Sequence, residues 1–214
     1  GRRSDTSPRH RPLNGFCWNN EQQHYTNSQE NSYVSEGTLK IVAKKEQYNY
    51  GGNTKSYTSA RLNTKYKFQY GRIDISAKLP VEQGTWPAFW TLGANIDEVG
   101  NYHGDTYGSV GWPACGEIDI MENVGYDSCK ILGTIHTKAY NHTINTQKSD
   151  SIVISTAHQD FHTYSLNWTD SILEWYVDFN LYNSIKRKST DREEQWPFNK
   201  PFHLIINQAV GGDW

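Results

Sequence analysis

From residue 72 to residue 79 the chain reads Arg-Ile-Asp-Ile-Ser-Ala-Lys-Leu, polar and apolar side chains in unbroken alternation until Pro80 stops it. A period of two belongs to a half-buried β-strand, whose successive side chains point to opposite faces. Further strand-like segments follow at residues 33–44, 131–137, 161–168, 172–177, 181–185 and 202–210, with turn chemistry at Glu36-Gly37, Gly51-Gly52-Asn53-Thr54 and Asp178-Phe179-Asn180. No stretch sustains a 3.6-residue period over ten residues, so helix should be scarce. No internal repeat or linker is found. At 214 residues this predicts one all-β domain, a two-sheet antiparallel β-sandwich. Residues 1–15, polar, basic and Pro-containing, read as a loose N-terminal leader, and residues 16–214 as the single domain.

Composition narrows the partners. Net charge is −2, and the one basic triplet, Lys186-Arg187-Lys188, reads as a solvated turn, so nucleic acid is not expected. No run approaches the roughly 18 apolar residues of a membrane span, and no signal-peptide pattern is present. Eight Trp and 14 Tyr suit a groove that stacks sugar rings, although a sandwich sends most of its aromatics to the core. Cys17, Cys115 and Cys129 are odd in number and lack zinc-ligand spacing, so no metal site is expected. Cys17 and Cys115 flank predicted cleft segments; they pair if the chain is secreted, or Cys115 is a buried free thiol. The glycosylation triplets at Asn141 and Asn167 are neutral, since such triplets arise often by chance.

The chemistry concentrates in Gly116-Glu117-Ile118-Asp119-Ile120-Met121-Glu122. β-Branched and apolar neighbours make this a strand, which puts Glu117 and Asp119 on one face. Strict alternation would add Met121 to that face and bury Glu122 on the other, which is costly for an unpartnered carboxylate. One extra residue near Ile120 and Met121, a β-bulge, would turn Glu122 back beside Glu117 and Asp119. An acid-rich strand is usually a solvated sheet face. Two glutamates on one face also suit double-displacement glycoside hydrolysis, where carboxyls about 5–5.5 Å apart act as nucleophile and acid/base. In that reading Glu117 is the nucleophile and Glu122 the acid/base. Asp119 hydrogen-bonds the nucleophile and raises its neighbour's pKa, because crowded carboxyls do not all ionise cheaply. If the next turn centres near Tyr126 and Asp127, antiparallel pairing brings His136 about opposite Glu117.

The longer string Trp112-Pro113-Ala114-Cys115-Gly116-Glu117-Ile118-Asp119-Ile120-Met121-Glu122 resembles the active-site strand of glycoside hydrolase family 16. Other segments resemble the family in the right order: Trp18-Asn19-Asn20-Glu21, Tyr57-Thr58-Ser59-Ala60-Arg61-Leu62, Tyr70-Gly71-Arg72-Ile73, Gly84-Thr85-Trp86-Pro87-Ala88-Phe89-Trp90, Gly133-Thr134-Ile135-His136-Thr137 and Asn207-Gln208-Ala209-Val210-Gly211-Gly212. The likeness is greatest to the laminarinases, endo-acting β-1,3-glucanases; the family's lichenases typically carry a shorter, unbulged Glu-x-Asp-x-Glu. The resemblance implies a concanavalin-like jelly roll with a concave substrate cleft. Catalysis falls to Glu117, Asp119, Glu122 and His136, and sugar contacts to Asn20, Arg61, Trp90, Trp112, Gln208 and Trp214. The family's first and last strands are not found within 16–214. Its structural calcium, which uses those termini, is not carried over, and no cofactor is required.

The implied activity is retaining endo-hydrolysis of laminarin-type β-1,3-glucan by a monomeric, extracellular or secreted protein with no membrane partner. Two alternatives stay open. One is a non-catalytic β-glucan recognition module, against which the retained acids argue. The other is a transglycosylase, or a hydrolase of mixed-linkage glucan, agar or carrageenan. The residues 93–111, without apolar periodicity, are expected to form a surface loop.

Overall fold

A computed structural model describes residues 18–98 and 104–214. The expected leader, Cys17 and part of the 93–111 loop lie outside them. The described residues form two compact units: those up to Leu62 together with Asn207–Trp214, and Asn63–Ile206. Among them, no helix is long and apolar enough to cross a membrane.

The first unit holds β1 (Gln23–Tyr25), β2 (Ser32–Ser35), β3 (Thr38–Ile41), β4 (Lys44–Tyr50) and β5 (Asn53–Ser59); β6 (Arg61–Phe68) begins in it. β2 and β3 form a hairpin around Glu36 and Gly37, both at positive φ (50° and 75°), as a tight two-residue turn requires. β1, β5 and β4 make a three-stranded sheet in which β1 runs parallel to β5, an exception to the expected antiparallel pairing. β4 and most of β5 are polar along their length, so neither shows as a strand in sequence.

The second unit is a β-sandwich. It contains β7 (Gly71–Ala77), β8 (Thr85–Gly93), β9 (Glu117–Glu122), β10 (Lys130–His136), β11 (Lys148–Val153), β12 (His162–Trp168), β13 (Ile172–Val177), β14 (Asn180–Lys186) and the start of β15 (Phe202–Val210). One sheet runs β11-β10-β9-β8-β15-β6 and the other β14-β13-β12-β7. Their inner faces share one core: Phe89, Ile118, Ile120, Met121, Ile131 and Ile135 from the first, Tyr164, Leu166, Trp168, Leu173, Trp175 and Val177 from the second. The alternation of residues 72–79 becomes β7, which pairs residue for residue with β12 from Ala77 opposite His162 to Gly71 opposite Trp168.

The 93–111 stretch departs from expectation at its start. Ala94, Asn95 and Ile96 are buried, and Ile96 bridges Val110 and packs with Leu92, Cys115 and Ile205. Three residues are too few to show a period. Cys115 is a buried free thiol there, with burial raising its pKa to about 12.

Candidate active site

β9 lies inside its sheet, between β8 and β10. Glu117 faces Leu92 on β8 and His136 on β10; Asp119 faces Trp90 and Thr134; Glu122 faces Ala88 and Leu132. Between Asp119 and Met121 β9 advances two residues while β8 advances one, from Trp90 to Phe89. The register on β10 slips over the same span, between Leu132 and Thr134. Ile120 is the extra residue. Both Ile120 and Met121 are buried in the core, and the change of phase returns Glu122 to the side of Glu117 and Asp119. The bulge expected from the conflict between alternation and charge is therefore present.

The bulge is held from the opposite sheet. Trp175, fully buried on β13, donates its indole N–H to the Asp119 carbonyl at 2.8 Å. Its ring fits because residue 133 is glycine: a Cβ there would stand 2.5 Å from Trp175 Cδ1 and 2.7 Å from the Tyr182 hydroxyl. Asn183 Nδ2 donates to the Gly133 carbonyl at 2.9 Å.

Each glutamate has an indole partner. Trp112 Nε1 donates to Glu117 Oε2 at 2.9 Å, and Trp86 Nε1 to Glu122 Oε1 at 3.3 Å. Burial pushes the Glu122 carboxyl up to about 7, against the small opposing effect of the Trp86 bond. Asp119, 3% exposed, is raised well above the carboxylate range, first by burial, then by the charges of Glu117 and Glu122 and a hydrogen bond with Glu117. It is the proton-holding partner of that bond. His136 Nε2 lies 3.5 Å from Asp119 Oδ2 and 3.8 Å from Glu117 Oε1. Burial, with help from His142, lowers the His136 pKa to about 4, so its imidazole is neutral at ordinary pH. Glu117, Asp119 and His136 place donor atoms within 4.8 Å of one another, which a divalent cation would span. A cation needs its carboxylates deprotonated, and the proton kept by Asp119 works against that use.

Three rings close the Glu117 end. Trp112 and His136 lie 5.8 Å apart, and His142 lies 5.0 Å from Trp112 and 5.2 Å from His136. Neither Trp86 nor His142 stands out in sequence as a neighbour of the acids. Trp86 shares a face of β8 with Trp90, so the spacing favoured both equally. His142 carries no signal, because its proximity comes from the path of the β10–β11 connection. Trp90 is partly buried against Leu92, Ile96, Cys115 and Ile205, as is Trp112.

The remaining expected sugar contacts lie in the other unit. Arg61 is 7% exposed and acts electrostatically on Glu21 and Tyr25. Glu21 is hydrogen-bonded by Gln23 Nε2 at 2.6 Å and by the Tyr25 hydroxyl at 3.2 Å; burial raises its pKa. Asn20, at φ 53°, donates to both carboxylate oxygens of Asp213, at 2.7 and 2.9 Å. Gln208 is 6% exposed and turns its amide to the Ala209 carbonyl, whereas Trp214 is 43% exposed.

The chain is similar to known proteins in sequence and in fold. Residues 19–214 match the model of the family Glycosyl hydrolases family 16. The chain is 45% identical over 210 residues to a beta-glucanase of Rhodothermus marinus, covering 94% of this chain and 69% of that protein. It is 35% identical to glucan endo-1,3-beta-glucosidase A1 of Niallia circulans, covering 92% of this chain but only 29% of the relative. Among solved structures, a variant of LamA from Zobellia galactanivorans in complex with laminaritriose and laminaritetraose superposes with a TM-score of 0.83 at 45% identity, over 94% of this chain and 79% of that one.

Proposed function

The chain belongs to glycosyl hydrolases family 16, and from that premise we propose that it is a retaining endo-β-1,3-glucanase acting on laminarin-type glucans. The observation that carries the reading is the bulge at Ile120, which sets Glu117 and Glu122 on one face of one strand in unlike surroundings. Glu122 keeps a proton close to neutrality because it is buried. Glu117 has an indole N–H on one oxygen and neutral His136 near the other.

Those surroundings assign the steps. Glu117 attacks the anomeric carbon while Glu122 gives its proton to the departing glycosidic oxygen, leaving a glycosyl ester on Glu117 and an ionised Glu122. Glu122 then takes a proton from water, whose oxygen displaces Glu117 and restores both groups. Asp119, protonated and hydrogen-bonded to Glu117, disperses the charge that returns to that carboxylate when the ester breaks. His136 stays neutral and lies against the pair without adding a charge, its Nε2 3.5 Å from Asp119 Oδ2 and 3.8 Å from Glu117 Oε1.

The choice of β-1,3-glucan is supported by the named activity of the Niallia relative and by the oligosaccharides bound to LamA. We further propose that the protein works as a monomer outside the cell, where a polysaccharide must be shortened before it can be taken up. The test is release of reducing ends from laminarin, with products sized, by the wild type, Glu117→Gln and Glu122→Gln. The wild type should yield short oligosaccharides, and each variant should lose at least 1,000-fold in kcat, on the order expected for losing a nucleophile or its proton donor. Near-normal turnover in either variant would sink the assignment.

A further inference from the structure

We propose that His142 is a substrate-binding residue, placed to hydrogen-bond the hydroxyls of the glucosyl unit that lies over Trp112; this rests on the reading of the site as a β-glucan cleft. His142 opens a single 3-10 turn, His142–Ile144, in the connection from β10 to β11. Its neighbour Asn141 is 3% exposed and is consumed in fixing the backbone. The Asn141 side-chain oxygen accepts from the Thr143 N–H at 3.1 Å and the Thr143 hydroxyl at 2.6 Å, and its Nδ2 donates to the Thr137 carbonyl at 3.1 Å. The Asn141 N–H donates to Thr146 Oγ1 at 3.1 Å, and Asn145 closes the turn at φ 56°.

So many local bonds fix a solvent-facing segment more tightly than a connection needs. What the segment displays is an exposed imidazole against the two side chains that flank Glu117. The ring sits 5.0 Å from Trp112, tilted by 36°, and meets His136 at 5.2 Å nearly edge-on. An indole face beside a ring nitrogen suits a pyranose: apolar C–H groups lie on the aromatic and a rim hydroxyl reaches the nitrogen. The backbone that carries the imidazole is fixed by Asn141 and the ring rests against Trp112 and His136, so less conformational freedom is lost when sugar binds.

The experiment compares His142→Ala and His142→Gln with the wild type, by KM and kcat on laminarin and by thermal unfolding. Loss of a sugar contact made equally in ground and transition states raises KM with little change in kcat. His142→Ala should raise KM at least fivefold, with kcat within twofold and Tm within 2 °C. His142→Gln, which keeps a donor and an acceptor near the same place, should recover at least half of that loss. An unchanged KM in His142→Ala overturns the proposal, as does a fall in kcat and Tm together that Gln fails to rescue, because that pattern marks a packing role. If the wild type cleaves a different polysaccharide of a panel, the glucan assignment alone fails, and the same comparison is made on that polymer.

Discussion

Glu122 shows how much a single residue's surroundings decide. Its ordinary value of 4.5 is raised to about 7 by burial, so the folded protein keeps a proton there that the unfolded chain has already released. That proton is available to a leaving group only below about pH 7, so kcat/KM should decline as pH rises through that value. Stability carries the same sign: the contribution is complete below pH 4.5 and is lost as pH rises toward 7. Glutamine cannot ionise. Glu122→Gln should therefore match the wild type near pH 4.5 and exceed it at pH 8 by about 2 to 3 kcal/mol, measured by denaturant unfolding at the two pH values. An unchanged difference across that range would show that the carboxyl is not desolvated. Glu122→Gln should also release phenol from an aryl laminarioside in a burst of about one equivalent, since that phenol leaves without being protonated, and then turn over slowly, because Glu122 is also the base that takes the proton from water in the second step. Asn141 makes a related point: its side-chain nitrogen donates to the Thr137 carbonyl inside the turn, so its sequon offers no free amide in the folded protein.

At the scale of the strand, β9 depends on groups outside itself. The bulge frees a stretch of backbone from ladder pairing, and the Trp175 indole supplies a donor to the Asp119 carbonyl within it. Trp175→Phe keeps most of the ring and removes that donor. It should cost about 1–3 kcal/mol of stability, the range for a buried polar group that loses its partner, and lower kcat more than it changes KM. Gly133→Ala drives a methyl to 2.5 Å from Trp175 Cδ1 and should be worse on both measures, overpacking costing about 1–3 kcal/mol. Chemical denaturation read beside laminarin kinetics checks both. The bulge itself could be anticipated, because Glu122 on the core face would have been a buried, unpaired charge. The donors that secure it could not, because Trp175 and Asp119 are 56 residues apart. The parallel pairing of β1 with β5 was hidden for the same reason: pattern reports which residues form strands, not which strand lies beside which.

For the sandwich unit as a whole, the aromatic content finds its use chiefly in the core. Trp168, 1% exposed, packs edge-on against Phe68, Tyr70 and Phe202 at 6.0, 5.5 and 5.2 Å and donates to the Phe198 carbonyl at 3.1 Å. Trp168→Ala should cost about 3–5 kcal/mol and lower Tm steeply, while the molecules that remain folded keep the wild-type pH dependence of activity. A shifted pH dependence would mean that this end of the core also shapes the acids.

The sequence by itself determined the all-β class, the strand that bears the acids, the need for a bulge in it and, to within about one residue, the register that sets His136 against Glu117. Each of these follows from short-range rules: alternation, the cost of burying charge, and the geometry of a turn. Only the tertiary structure decided that Trp86 meets Glu122, that Trp175 holds the bulge, that His142 joins Trp112 and His136, and that Arg61 acts on Glu21. Those partners are brought together by the packing of segments distant in sequence, and local periodicity contains no information about which segments will meet.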